Sequence, residues 1–337
     1  MEAEAMNWDY KKAGVSIEGG DAWVDVVKGL LKKRPSDPNQ VGGVGGFSGL
    51  YRIGGGQCLA ACCDGVGTKL EVAKLAGSYR GLGQDLVAMN VNDLITCGAR
   101  PLFFLDYIAC GGLDTSLFSE IIEGVLDACE ESGCALLGGE TAEMPGVYPP
   151  SGFDLAGFSV GIVDENKIID GKSIAAGDLI LALPSSGIHS NGFSLVRRVL
   201  LDDGLKLPID ASCPGLEEPL GSALLRPTRL YVRQAMAALS ACPIHGMAHI
   251  TGGGLEGNIS RVIPDGLKLT LDYEAWQRPA LFNLIAQGGV TEEEMRRVFN
   301  LGIGYVFIID PSVLNTMQEV LSSMGETPYV IGQVAHA

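Results

Sequence analysis

Three acidic residues are best suited to chemistry, and two of them lie directly beside glycines. Asp64 begins the segment Asp-Gly-Val-Gly-Thr-Lys, Asp93 follows Asn92, and Glu140 follows Gly-Gly. We expect all three in glycine-flanked turns, where the backbone can approach a ligand closely and Lys69 adds a positive charge. Mg²⁺ is commonly bound by a few carboxylates together with substrate phosphates. The pattern predicts a nucleotide–metal site, whereas any one of these acids taken alone is more often simply solvated.

The segment Asp64–Lys69 is not a Walker A loop, because the first glycine of Gly-x-x-x-x-Gly-Lys is missing. Its amides are suited to anionic oxygens with Lys69 as a point charge. A plain surface lysine is the alternative. Asp93 is able to satisfy backbone amides near Gly98, but Asn92 beside it supplies a second oxygen, which favours a metal or a phosphate.

Two further glycine-rich segments are candidates for binding anions. The segment 42–49 is suited either to wrapping phosphates or to being a linker, and Phe47 favours a loop that packs. The segment 252–257 contains Gly-x-Gly-x-x-Gly after the strand-like run 249–251. Asp272 comes too early to complete a dinucleotide fingerprint. We therefore interpret this segment as an anion-binding turn before a helix at 258–263.

The run 185–192 places serines, His189 and an asparagine between a predicted strand and a predicted helix. A helix cap by Ser190 or Asn191 is the structural alternative. His245 and His249 are interpreted as structural. The sequence has no Gly-x-Ser-x-Gly elbow, so a serine hydrolase is not indicated.

Composition and net charge argue against several classes of function. The chain has 337 residues, and its net charge of −16 with only 24 basic residues excludes a nucleic-acid-binding face. No apolar run is long enough for a membrane span. The start Met1 to Glu4 lacks the pattern of a signal peptide. Nine cysteines without Cys-x-x-Cys indicate buried thiols in a reducing cytosol, so we expect a cytoplasmic protein.

The elements that must position these residues alternate between strands and helices. In the first half the pattern predicts helices at 22–34, 82–97 and 115–131, and strands at 50–53, 58–63, 102–109, 135–137 and 155–163. A polar stretch at 164–177 marks a boundary. In the second half the pattern predicts strands at 179–183 and 302–309, and helices at 191–203, 228–240 and 312–324. Pro227 is suited to the start of its helix, and the whole indicates a mixed α/β fold.

Together these motifs resemble the phosphoribosylformylglycinamidine cyclo-ligase (aminoimidazole ribonucleotide synthetase) family nearly end to end. The similarity is carried by the segments 10–15, 64–69, 91–93, 98–107, 138–146, 186–191, 227–229, 249–254 and 299–304. The most specific of them is Gly-Gly-Glu-Thr-Ala-Glu-Met-Pro-Gly at 138–146. Two positions depart from the family pattern: Gly257 precedes Asn258, with Glu256 one place early, and the segment 80–83 differs. Both departures weaken the transfer of roles there.

The resemblance implies two domains, 1–168 for ATP binding and dimerisation and 169–337 on the substrate side. It implies a homodimer whose N-terminal domains pair into a β-barrel, with a C-terminal mixed α/β sandwich. Mg²⁺ would be bound by Asp64, Asp93 and Glu140. ATP would be bound by Gly45, Gly46, Phe47, Ser48, Gly65, Gly67, Thr68, Lys69 and Asn92. The substrate would be bound by Ser186, Ser190, Asn191, Thr251 and Gly253.

The implied reaction is ATP-driven ring closure of formylglycinamidine ribonucleotide to aminoimidazole ribonucleotide, with ADP and phosphate as products. The family's chemistry activates the formyl amide oxygen by phosphorylation. Asp93, Lys69 and His189 are the catalytic candidates, with His189 moving a proton or binding substrate. Thiamine-phosphate kinase is the nearest enzymatic alternative. A non-catalytic nucleotide-binding module is the alternative of another class.

Overall fold

The computed structural model describes residues 8–337. The start Met1 to Glu4, where we expected no signal peptide, lies outside the described residues. The first half consists of α1 (Ile17–Leu31), β1 (Gln40–Val41), β2 (Gly49–Gly54), β3 (Gln57–Gly65), α2 (Lys69–Ala76), α3 (Arg80–Leu94), β4 (Arg100–Cys110), α4 (Thr115–Ser132), β5 (Ala135–Glu143) and β6 (Phe153–Asp164).

The second half follows a short connection and again mixes strands with helices. Its elements are β7 (Leu179–Pro184), α5 (Phe193–Val196), α6 (Leu220–Leu225), α7 (Val232–Ala241), β8 (Gly246–His249), α8 (Gly254–Ile259), β9 (Leu267–Leu271), α9 (Ala280–Gln287), α10 (Glu292–Val298), β10 (Ile303–Ile309), α11 (Leu314–Ser323) and β11 (Tyr329–His336). The predicted mixed α/β fold in two parts is confirmed.

The first half forms a six-stranded sheet in the order β1-β2-β3-β6-β4-β5. Only β4 and β5 are parallel, because the helix α4 connects them as a crossover. Alternate residues of β3, namely Cys58, Ala60 and Cys62, are buried, as expected for a strand with one covered face. The helix α3 packs on β3 and β6 and also touches β8 of the second half. It therefore lies where the two halves meet.

The second half forms an antiparallel sheet in the order β8-β10-β7-β11-β9. All seven residues of the central strand β10 are buried. One large apolar core includes Phe104 of the first sheet and Phe307 of the second, together with residues of α3, α4, α7 and α11. The two halves therefore share a core, which makes contacts between their loops well defined.

The opposite face of the first sheet is not covered by any described element. Tyr51, Tyr107 and Phe158 point to this open face and are 44%, 40% and 39% exposed. Asp106 points to the covered face with Phe104, so the neighbouring Tyr107 points away from it. An apolar sheet face of this kind is a typical place for protein association.

Several predicted element bounds need correction. The strand predicted at 135–137 continues to Glu143, because the glycines and Glu140 pair with β4 along its whole length. The helix predicted at 191–203 is the short α5 followed by a π-helical segment, Arg197–Asp202. The helix predicted at 228–240 begins at Val232, and the backbone N–H of Thr228 ahead of it donates to Asp85. The helix expected at 22–34 is α1, capped by Ser16.

The described part of the chain, residues 8–337, has no helix with the length and apolar character that a membrane crossing requires.

Candidate functional site

Asp64 and Asp93 come together on the covered side of the first sheet. Asp64 lies near the end of β3 and pairs with Gly157, whose Cβ position would contact the amide of Asn90 on α3. Asp93 lies near the end of the same helix. Both side chains are therefore in regular elements: Asp93 lies in the helix predicted at 82–97, whereas the glycine-flanked turns also expected around these acids are not found. We refer to Asp64 and Asp93 as the carboxylate pair.

The electrostatics of the carboxylate pair are unusual. Burial, and then the negative charge of Asp93, raise the pKa of Asp64 to about 6, and a hydrogen bond from the Gly65 amide only partly offsets this. Two carboxylates that share a desolvated space repel each other. A bound cation would remove that repulsion, so the pair has the character of a cation site.

A histidine holds Asp93 in place. The Nδ1 atom of His249 lies 2.8 Å from Asp93 Oδ1, and His249 is fully buried. The neighbouring Asn92 accepts a hydrogen bond from the Tyr231 amide and donates one to the Arg229 carbonyl. Asn92 thus connects α3 to the second half. From the sequence, His249 was interpreted as structural and its contact with Asp93 was missed, because 156 residues separate the two.

The glycine-rich loop between β1 and β2 lies beside this pair. Phe47 is buried in the core, and the guanidinium of Arg261 lies 5.1 Å from its ring centroid. The charge of Arg261 also lowers the pKa of Asp64 slightly against the larger raising effects. Gly45 has a left-handed φ of 111° and Gly46 is exposed. Ser48 precedes β2, and Phe47 anchors the loop in the core against Arg261. Arg261 was not anticipated from the sequence.

The segment after Asp64 is tightly constrained. A Cβ at Gly65 would lie 2.8 Å from the Leu155 carbonyl oxygen, so only glycine fits there without a shift. Gly67 has a φ of 65°, which favours glycine. Thr68 precedes α2, and its hydroxyl lies 3.0 Å from that of Ser194 in the second half. This segment therefore joins the carboxylate pair to the other half of the molecule.

The side chain of Lys69 is not exposed in a position where it could bind a phosphate. Its side chain is fully buried and its ammonium donates to Asp85 Oδ1 at 2.9 Å. It also donates to the carbonyls of His189 and Arg226. The expected contact between Lys69 and an ATP phosphate is not compatible with this conformation, because an ammonium has three donors and all are used. Burial lowers the pKa of Lys69, and Asp85 opposes that effect.

His189 is fully buried and has a left-handed φ of 65°. Its Nε2 accepts a hydrogen bond of 3.3 Å from the Ser186 amide, and its Nδ1 has no protein partner. Burial, followed by the nearby His249, lowers the pKa of His189 well below its ordinary value. The neutral ring is therefore a hydrogen-bond donor at Nδ1. Its proposed role in proton transfer stays a prediction.

The expected substrate residues form two adjacent loops. The Ser186 hydroxyl donates to the Pro227 carbonyl at 2.6 Å, and the Ser190 hydroxyl lies 3.1 Å from that of Thr228. Asn191 lies next to the glycine-rich segment, because a Cβ at Gly252 would be 3.6 Å from its Oδ1. The other two expected residues, Thr251 and Gly253, belong to that segment. The structure thus brings these five residues into one region.

Glu140 is not part of the carboxylate pair within one chain. Glu140 lies on β5, where it pairs with Tyr107 of β4, and β5 is three strand spacings, or roughly 14 Å, from β3. A Cβ at Gly139 would lie 2.1 Å from Asp106 Oδ1, so Gly139 faces the covered side and Glu140 faces the open side. The expected convergence of three carboxylates is therefore found for Asp64 and Asp93 only.

Among residues 8–337, no group of three or more His, Cys, Asp or Glu side chains is arranged to hold a metal ion. Mg²⁺ usually needs only one or two carboxylates, with waters and substrate phosphates as its other ligands. The carboxylate pair fits that donor set, since Asp64 and Asp93 are both ready acceptors and a cation between them would relieve their mutual repulsion.

Comparison with known families defines the class of protein. Residues 45–163 match the family model for the N-terminal domain of AIR synthase related proteins, and residues 175–337 match the model for the C-terminal domain. Together these matches cover most of the chain, so it has the fold of the AIR synthase related proteins.

Relatives of high identity define the family more closely. The phosphoribosylformylglycinamidine cyclo-ligase of Myxococcus xanthus is 49% identical over 334 residues, covering 98% of this chain and 96% of that protein. The protein of the same name from Sorangium cellulosum is 48% identical over 335 residues, with the same coverage. The chain belongs to the phosphoribosylformylglycinamidine cyclo-ligase family.

Solved structures of lower identity share the fold. Thiamine-monophosphate kinase from Stenotrophomonas maltophilia has a TM-score of 0.64 at 17% identity, covering 94% of each chain. AaThiL complexed with AMPPCP and TMP has a TM-score of 0.64 at 15% identity, covering 96% of this chain and 93% of that one. The kinase alternative therefore shares the architecture, whereas the sequence identity lies with the cyclo-ligases.

Proposed function

We propose that this protein is an ATP-dependent cyclo-ligase that closes formylglycinamidine ribonucleotide to aminoimidazole ribonucleotide in purine biosynthesis. The observation that carries the proposal is the carboxylate pair beside the glycine-rich loop, in a chain nearly half identical to cyclo-ligases. The pair would supply carboxylate ligands to a Mg²⁺ ion bound to the triphosphate, and the loop would supply backbone amides to the phosphates.

In the proposed reaction the γ-phosphoryl of ATP moves to the formyl amide oxygen, and ADP leaves. A substrate nitrogen then attacks the formyl carbon, and phosphate departs with the former formyl oxygen while a proton is released. An amide oxygen is a poor leaving group, which is why ATP is consumed. The protein positions both reactants and neutralises charge at the transferred group.

Asp64 and Asp93 would hold Mg²⁺, which neutralises phosphate charge when it is bound. His249 keeps the Asp93 carboxylate oriented through its 2.8 Å contact. Arg261 is placed to meet phosphate oxygens, since its guanidinium lies against Phe47 of the loop. Gly45, Gly46 and Ser48 would then approach the nucleotide through their backbone.

On the substrate side, Ser186, Ser190 and Asn191 would contact the ribonucleotide together with Thr251 and Gly253. His189 would donate from Nδ1, which has no protein partner. Because His189 is buried in this conformation, its ring would have to turn towards the substrate while the backbone of the 185–191 turn stays in place. This role would be supported if the His189→Ala variant loses more in turnover rate than it loses in affinity for ATP.

We also propose a cytoplasmic homodimer. The open face, with Tyr51, Tyr107 and Phe158 exposed, would pair with the same face of a second copy. The nine cysteines of the chain are unpaired thiols, which suits a reducing compartment. Sedimentation of the wild-type chain and of Tyr107→Glu tests the pairing, since a charge on the face should shift the protein towards monomer.

ADP release with formylglycinamidine ribonucleotide, compared with thiamine phosphate, tests the reaction directly. We expect Mg²⁺-dependent ADP release with the ribonucleotide only. Release with thiamine phosphate and none with the ribonucleotide would replace the cyclo-ligase by the kinase alternative. ATP binding without release in either assay would instead favour a non-catalytic nucleotide-binding module.

A further inference from the structure

The buried ammonium of Lys69 connects three separate parts of the chain. It donates to Asp85 of α3 at 2.9 Å, to the His189 carbonyl at 3.1 Å and to the Arg226 carbonyl at 2.9 Å. Asp85 belongs to the first half, whereas His189 and Arg226 belong to loops of the second. Lys69 thus has no donor left for a ligand.

Asp85 extends this network to the substrate side. Its Oδ1 accepts hydrogen bonds from the backbone amide and the hydroxyl of Thr228, at 2.6 and 2.7 Å. The Thr228 hydroxyl in turn lies 3.1 Å from that of Ser190. Lys69, Asp85 and Thr228 are all fully buried, so water does not weaken these bonds.

The turn held by this network is strained and closely packed. His189 is one of a few described non-glycine residues with a left-handed φ, a conformation that is unfavourable for a side chain and persists only when its surroundings enforce it. A Cβ at Gly304 would lie 2.6 Å from His189 Cε1. The bond from Lys69 to the His189 carbonyl is therefore one of the contacts that enforce this geometry.

We propose that Lys69 is a positioning residue: its ion pair with Asp85 holds the 185–191 turn in the geometry required for substrate binding. The segment Asp64–Lys69 then links two sites, since Asp64 belongs to the carboxylate pair at one end and Lys69 fixes the substrate-side turn at the other. The inference rests on the proposed function for the identity of the substrate, and it assigns Lys69 no contact with ATP.

The test is the double variant Lys69→Met/Asp85→Asn. It removes both buried charges. The side-chain carbonyl introduced at position 85 replaces Asp85 Oδ1 as acceptor for Thr228, whereas the carbonyls of His189 and Arg226 lose their donor. Replacing a buried ion pair by uncharged groups is often nearly neutral for stability. The matched control is Lys74→Met/Glu71→Gln, which removes a partly exposed ion pair of 2.7 Å on the same helix, α2.

Three measurements apply to each variant: affinity for Mg²⁺ with AMPPCP, KM for formylglycinamidine ribonucleotide, and modification of His189 by diethyl pyrocarbonate located by mass spectrometry. We expect unchanged AMPPCP affinity, a KM raised at least tenfold and new modification of His189. The control should match the wild type in all three. If the double variant does not fold, Thr228→Val, which removes one bond to Asp85 and the contact with the Ser190 hydroxyl, should show new modification of His189 and a KM raised about threefold.

A tenfold loss of AMPPCP affinity with unchanged KM would overturn the inference and return Lys69 to the phosphates. Unchanged KM and unmodified His189 would overturn it as well, leaving the ion pair a role in stability alone. If the wild-type chain shows no ADP release with the ribonucleotide, the proposed function fails. The modification of His189 still decides the positioning role, because that measurement needs no substrate.

Discussion

The two ends of the segment Asp64–Lys69 differ in the sign of the charges that they bring together. At one end Asp64 and Asp93 place like charges in a partly buried space, and the pKa of Asp64 rises to about 6. At the other end Lys69 and Asp85 place opposite charges, 2.8 Å apart, where both side chains are fully buried. One short segment therefore joins a pair of like charges, which we call the unbalanced end, to a pair of opposite charges, which we call the balanced end.

This difference separates a binding site from a structural contact. The two carboxylates of the pair repel each other, and in our proposal a cation that arrives with a ligand relieves this repulsion. The Lys69 ammonium is satisfied without a ligand, since each of its N–H groups has a protein acceptor. The role of a charged residue in a motif therefore depends on whether its charge already has a protein partner or still lacks one.

The largest expected effect is on stability at the balanced end. Lys69→Met alone leaves Asp85 buried without its counter-charge, so we expect a loss of about 3–5 kcal/mol in the free energy of unfolding, measured with urea. Lys167→Met is the control, because Lys167 forms an exposed pair with Asp164 at 3.0 Å and should unfold like the wild type. Equal stability of the two variants would show that burial does not distinguish these ion pairs.

At the unbalanced end we expect the largest effect on activity. Asp93→Asn removes one of the two charges that would hold Mg²⁺, while the amide oxygen still accepts from His249. Turnover measured by ADP release should fall by a factor of roughly 100 or more, because metal coordination contributes several kcal/mol at the transition state. Circular dichroism should show an unchanged fold. Full activity would remove Asp93 from the metal site.

The sequence predicted the elements with strong hydrophobic periodicity. The strand expected at 155–163 is found as β6, and the helix expected at 115–131 as α4. The long strand β5 was underestimated because Gly138, Gly139 and Glu140 have weak strand preference and pair only through tertiary contacts with β4.

For the site, residue chemistry alone indicated that Asp64 and Asp93 belong together. The rest depended on contacts without a local signal. Lys69 meets Asp85 across 16 residues, and Asp93 meets His249 across 156. The face of Glu140 depends on strand register, where a shift of one residue reverses the direction of every side chain. Burial of Lys69 is a property of the whole fold, so its charge alone suggested a phosphate contact.

Asp64→Asn should stabilise the protein while reducing its activity. The folded state keeps a proton on Asp64 up to a pKa of about 6, whereas the ordinary value is 3.8. As the pH rises through this window the folded state loses that advantage, so the unfolding free energy falls. Without Mg²⁺, the variant should exceed the wild type by on the order of 2 kcal/mol above pH 6, with no gain below pH 4.

Urea unfolding at pH 4 and pH 7.5 measures this difference. Added Mg²⁺ with AMPPCP should stabilise the wild type at pH 7.5 more than the variant, because only the wild type has both carboxylates. If the variant and the wild type differ in stability by the same amount at both pH values, ionisation of Asp64 does not destabilise the folded protein.

Arg261→Ala has the smallest expected effect. It tests whether the binding site around Asp64 and Asp93 extends to Arg261. The guanidinium lies 5.1 Å from the Phe47 ring centroid, and its charge lowers the pKa of Asp64 against larger opposing effects, which is why we propose that it binds phosphate oxygens. We expect affinity for Mg²⁺ with AMPPCP, measured by calorimetry, to fall roughly tenfold, as for loss of a hydrogen bond to a charged group. Arg198→Ala, which removes an exposed partner of Asp203, should bind normally. If both variants bind like the wild type, the carboxylate pair and the loop amides suffice to hold the nucleotide.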